Sequence, residues 1–73
     1  MTAGRRSNAE RTAQTRGSLL EAARRLFAER GYAATGTPDI VAAAAVTRGA
    51  LYHHFRDKED LFRAVVEAEM QAV

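Results

Sequence analysis

The stretch Val46–Phe62, VTRGALYHHFRDKEDLF, decides the fold. Thr47 can cap a helix, and it opens a short segment dense in Arg, Tyr and His. Asp57 can cap a second, amphipathic helix that follows almost at once. The segment from Arg48 to about Phe55 is too polar to be a plain core helix. Leu51 and Phe55 stand at i, i+4 and face inward, and Tyr52 is left between core and surface. The remaining side carries groups that bind phosphate oxygens and base edges. That points to a recognition helix for nucleic acid.

Upstream, Thr37-Pro38-Asp39 is a start signal: a capping hydroxyl, then Pro at N1, then an acid in the first turn. Ile40, Val41 and Ala44 supply the buried side of about two helical turns, and Ala45-Val46 forms a tight corner before Thr47. Tyr32–Gly36 is a short connection. Before it, Leu19, Leu20, Ala23, Leu26 and Phe27 recur at helical spacing, which predicts a long helix from about Ala9 to Arg30. Gly17 weakens that helix by roughly 1 kcal/mol relative to Ala, and Gly31 suits the left-handed C′ position that ends it. Residues 1–8 mix Gly, Ser, Asn, Thr and Arg without apolar period and read as a disordered basic arm. Downstream, Asp60 at N3 completes a box-like start after Asp57, and Leu61, Phe62, Val65, Val66 and Met70 form the stripe of the last helix. There is no strand pattern, internal repeat or low-complexity block.

Composition sets outer bounds. The 73 residues make one small domain with a thin core. With no cysteine there is neither a disulfide nor a Cys/His set for zinc. No apolar run approaches the roughly 18 residues of a membrane span, and Met1–Arg16 has no apolar signal-peptide core, so a cytoplasmic location without membrane attachment is expected. The net charge of +2 is unevenly placed: residues 1–30 hold seven Arg against three Glu, and residues 31–73 hold four basic groups against six acidic ones. An Arg-rich N-terminal third attracts polyanions by counterion release.

Two short helices joined by a three-residue corner match a helix-turn-helix, here about residues 36–55. In that geometry the first short helix crosses the DNA backbone and the second enters the major groove, N-terminal residues first. Thr37 and Thr47 lie at helix starts, where free N–H groups favour phosphate. Arg48 can meet a phosphate or a guanine edge. Gly49 and Ala50 let the helix approach closely, with Ala50 near a thymine methyl, and Tyr52, His53 and Lys58 can each donate to phosphates. The partner this pattern selects is double-stranded DNA.

TRGALYHHFRDKEDLF, preceded by GYAATGTPDIVAAAAV and LLEAARRLFAER, closely resembles the N-terminal DNA-binding domain of TetR-family transcriptional regulators. The resemblance runs from about Ser18 to Val66, and LYHHFRDKEDLF is its most specific part. It implies an all-α fold, a three-helix homeodomain-like helix-turn-helix bundle plus the start of a fourth helix, within residues 9–73. It also implies a repressor's function, stoichiometric DNA binding without catalysis or cofactor. Position by position, Thr37 and Thr47 fall on phosphate contacts, Arg48 on the basic head of the recognition helix and Ala50 on a base-reading position. Tyr52 and His53 fall on backbone and base contacts, His54 on the rim beside them, and Lys58 on the lysine that meets phosphate from the start of the fourth helix. Phe27, Ile40, Ala44, Val46, Leu51, Phe55, Leu61 and Phe62 fall on core positions. The family usually has glycine at the corner where this chain has Ala45. Its C-terminal ligand-binding and dimerisation domain has no counterpart in these residues, so a homodimer is expected only if such a domain is present.

Other chemistries fit poorly. His53 and His54 are adjacent and do not face one site as metal ligands. Ser7 and Ser18 lie in no nucleophile motif, and Gly31 and Gly36 punctuate helices instead of cradling phosphate. The face bearing Arg24, Arg25 and Arg30 reads as solvated. The reading left beside DNA binding is a helical interaction module without operator binding.

Overall fold

Leu19, Ala22, Ala23, Leu26 and Phe27 recur every three or four residues and bury one stripe of a long first helix, α1 (Asn8–Arg30). The computed structural model describes residues 8–71. Within them α1 is followed by α2 (Thr37–Ala44), α3 (Arg48–His54) and α4 (Lys58–Gln71), with no strand among the described residues. The basic arm expected over residues 1–8 lies outside the described residues except for Asn8, which begins α1.

Helix α1 stops at Gly31, whose φ of 87° is the left-handed conformation and whose N–H bonds Phe27 O at 2.9 Å. A Cβ on Gly31 would meet nothing within 4 Å, so backbone conformation and not space favours glycine there. Thr35, which the sequence reading passed over, is buried, and its hydroxyl reaches Gly31 O (2.8 Å) and Leu26 O (3.2 Å). It pins the α1–α2 turn to the last turn of α1, satisfying Gly31 O just past the helix and sharing Leu26 O within it.

Helix α2 begins one residue earlier than its Thr-Pro-Asp signal suggests. Gly36 is the N-cap, Thr37 the first helical residue and Pro38 the second. The reason is Asp39. Its Oδ2 accepts the Gly36 N–H at 3.2 Å, the back-reaching half of a capping box, so a residue without a side chain can cap. The corner is as expected: Ala45 sits at φ 59°, ψ 42°. Its N–H bonds Ala42 O and that of Val46 bonds Val41 O, a Schellman closure with alanine in the glycine position.

Thr47 caps α3, its Oγ1 accepting the Ala50 N–H at 3.1 Å. Before α4, Asp57 Oδ1 accepts the Asp60 N–H (2.8 Å) while Asp60 Oδ2 accepts the Arg56 N–H (3.0 Å).

The core joins the α1 stripe to Ile40, Leu51, Phe55, Leu61 and Val65, with Leu20, Val41, Ala44, Val46 and Ala64 packed at its margin. Full burial of each large aliphatic side chain contributes about 1.5–3 kcal/mol. The α4 stripe is narrower than its periodicity suggests, because Phe62, Val66 and Met70 are exposed, Met70 to 71%. One helix, α1, covers one side of α4, and Phe62 instead closes an aromatic triangle with Phe27 and Tyr32 (centroids 5.2–5.6 Å apart) at the core's edge.

Candidate nucleic-acid interface

The outward side of α3 is the most distinctive surface of the domain. Leu51 and Phe55 anchor the helix, which turns Arg48, Gly49, Tyr52 and His53 to solvent. Acids stand in the first turn of α1 (Glu10), α2 (Asp39) and α4 (Glu59, Asp60), as the helix dipole favours. Helix α3 has none and starts with Arg48, which enters no ion pair among the described residues. Gly49 is equally uneconomical for the fold. A Cβ there would meet only Thr47 Oγ1, at an ordinary 3.9 Å, so internal packing does not ask for glycine. Glycine in a helix still costs something relative to alanine, in the first turn less than the roughly 1 kcal/mol of a helix interior.

One flank of α3 meets α2. Tyr52, 47% exposed, brings its hydroxyl to 3.4 Å from Thr37 Oγ1. The shift of the α2 cap to Gly36 is what leaves the Thr37 hydroxyl available for this pairing. The opposite flank meets α1. His53 and His54 stand edge to face with centroids 5.1 Å apart, and the Arg16 guanidinium lies over the Phe55 ring at 5.1 Å. Partial burial, then His53, then Arg16 hold the His54 pKa below its usual value.

Lys58, at the start of α4, is engaged within the fold. Its ammonium donates to Tyr32 O (2.8 Å) and Thr35 O (3.0 Å) and lies 4.2 Å from the centroid of the Tyr32 ring. It ties the start of α4 to the α1–α2 turn. Tyr32 and Thr35 could not be found from local pattern, since their partners stand up to 30 residues away. The arginines of the opposite α1 face are partly spent on surface ion pairs: Arg24 with Glu21 (2.6 Å) and Arg30 with Asp39 (3.6 Å).

Among the described residues no three His, Cys, Asp or Glu side chains gather as a metal set. No described helix is long and apolar enough to cross a membrane.

A small helical core with two short helices meeting at a left-handed corner, the second presenting an uncompensated Arg and an unneeded Gly, defines a helix-turn-helix domain of the DNA-binding class. The profile described as "Bacterial regulatory proteins, tetR family" matches residues 19–65, and the chain belongs to that family. It is 44% identical over 62 residues to the HTH-type transcriptional regulator AcrR of Shigella flexneri, covering 85% of this chain and 29% of that protein. It is 45% identical over 62 residues to the HTH-type transcriptional repressor BepR of Brucella suis, again 85% and 29%. A TetR-family transcriptional regulator from Pectobacterium atrosepticum, known from a crystal structure, superposes with a TM-score of 0.70 at 56% identity, over 86% of this chain and 32% of that one. The chain thus spans about a third of the length of these relatives. All three are transcription regulators.

Proposed function

We propose that this domain binds double-stranded DNA sequence-specifically and is the operator-reading part of a transcriptional repressor. The observation that carries the reading is the outward face of α3. Arg48 stands at the positive end of a helix and Gly49 inside it, both against helix stability, and nothing in the fold requires either. Docked in a major groove, both become useful. Gly49 lets the backbone approach the bases, and Arg48 bonds a guanine edge or a phosphate. Ala50 and His53 face base edges, and His54 lines the rim. Thr37, Thr47 and Tyr52 donate hydroxyls to phosphates along the α2 side. Lys58 holds its turn with two of its three ammonium protons, which leaves one for a phosphate at the start of α4.

Each cation that meets phosphate releases counterions, so affinity falls with salt. In a complete regulator, two such domains would present their α3 helices to successive major grooves, about 34–36 Å apart, in a dimer held by other parts of the protein. Such a complex acts by occupancy and performs no chemistry on the DNA.

The test is selection of bound duplexes from a random library, followed by titration of the enriched duplex against a scrambled one across a salt series. A consensus of a few base pairs, with tighter binding to it and a negative log–log salt slope, is the expected result. A library that returns no consensus, with binding indifferent to sequence and salt, would overturn the reading in favour of a protein-interaction module.

A further inference from the structure

A second polar surface adjoins α3 on the flank away from α2. Arg11, Thr12 and Thr15 of α1 and Ala50, His53 and His54 of α3 line an open cleft of about 260 Å³. Its volume far exceeds the ~10–15 Å³ that a single water needs, so a hydrated phosphate group fits. Its walls carry a guanidinium, two hydroxyls and two imidazoles, and no carboxylate. Arg11 enters no ion pair among the described residues. Arg16, one turn along α1, adds positive charge beside His54.

The position matters as much as the chemistry. A helix lying in a major groove about 12 Å wide has one sugar-phosphate strand on each side. On one side of α3 stand Thr37 and Tyr52, with hydroxyls 3.4 Å apart. On the other side stands this cleft, and Ala50 and His53 form both its wall and part of the proposed reading face. We propose that the α1–α3 cleft is a binding site for a DNA backbone phosphate, on the strand opposite the one met by α2, with Arg11 supplying the charge and Thr12, Thr15 and His53 the remaining donors. The inference rests on the docking of α3 in the major groove and extends the interface from the helix-turn-helix to the N-terminal half of α1. The cleft then sets how deeply α3 sits, because the domain is gripped on both strands.

The experiment compares the 73-residue chain with R11Q, H53Q and R25Q on the enriched duplex across a salt series at pH 7. Arg25 is an exposed arginine of the same helix that lines the α1–α2 groove instead, so R25Q controls for loss of net charge alone. The expected result is a weaker affinity and a log–log salt slope shallower by about 0.9 for R11Q. R25Q should keep the parent affinity and slope. H53Q, which removes one wall of the cleft, should also weaken binding. Equal slopes for R11Q, R25Q and the parent, with the enriched duplex still bound, would overturn the cleft and leave the helix-turn-helix reading standing. Failure of the parent chain to bind any duplex would overturn both. Helical circular dichroism of each variant confirms that the comparison is made between folded proteins.

Discussion

Replacing Ala45 with glycine should make the domain more stable, against the usual direction for glycine. Ala45 occupies the left-handed region at φ 59° and ψ 42°, where the Cβ of an L-residue crowds the following carbonyl at a cost of roughly 1–2 kcal/mol. Glycine removes that cost. It also adds freedom to the unfolded chain, which returns about 0.4–1 kcal/mol to the unfolded state. Little else changes. The Ala45 side chain is exposed, and both bonds that close the corner, Ala45 N–H to Ala42 O and Val46 N–H to Val41 O, are main-chain bonds that glycine keeps. The difference leaves a net stabilisation of about 0.5–1 kcal/mol. For a domain of this size each kcal/mol moves the midpoint by about 4–8 °C, so a rise of roughly 2–8 °C is expected. Thermal melts followed by helical circular dichroism, with urea titrations to check that the m-value is unchanged, measure it directly. A lower midpoint for A45G would show that the corner is not strained.

At the head of α3, Arg48→Ala should separate binding from folding. The salt slope of DNA binding should fall by about 0.9, while the melting midpoint holds or rises, since an arginine at a helix N-terminus opposes the dipole. A lowered midpoint with unchanged binding would contradict the docking. Lys58→Met should cost about 1–3 kcal/mol in urea titration, because it strips two carbonyls of a charged donor and uncovers the Tyr32 ring. An unaltered transition would show the anchor to be inert. His54 supplies a pH dependence. It faces His53, Arg16 and, from α4, Asp60, Arg63 and Glu67. Its folded pKa lies below the ordinary value near 6.5, so the unfolded chain takes up the proton first and stability is lost as the pH falls below about 6.5, with no penalty above it. His54→Gln should flatten that decline between pH 7 and 5, and identical pH profiles for the two proteins would remove His54 as its cause.

The features legible from the chain alone are local. The ends of the helices follow from residues within four positions of one another: Gly31 after Arg30, Thr47 accepting the Ala50 N–H, and Asp57 accepting that of Asp60. The apolar stripe of α1 and the inward pair Leu51 and Phe55 follow from helical period in the same way. The tight corner at Ala45-Val46 was readable too, and the family resemblance, which usually has glycine there, implied the strain that Ala45 carries at φ 59°. The outward residues of α3 were legible for a related reason: apart from Leu51 and Phe55, the segment is too polar and aromatic for a plain core helix.

Tertiary structure decided everything that depends on which distant residue arrives. The Thr37 hydroxyl meets Tyr52 fifteen residues on, whereas the cap that passes to Gly36 is a local matter of Asp39 three residues away. Lys58 reads in the sequence as a lysine that meets phosphate, and only the packing of α4 against the α1–α2 turn brings its ammonium to the carbonyls of Tyr32 and Thr35. Phe62, Val66 and Met70 share a period with Leu61 and Val65, yet α1 covers only one side of α4 and leaves them exposed. The cleft between α1 and α3 joins Arg11 to His53 across more than forty residues. Period and capping are set by backbone geometry within a turn or two of helix. Burial and long-range hydrogen bonds are set by the packing of one helix on another, which no single segment encodes.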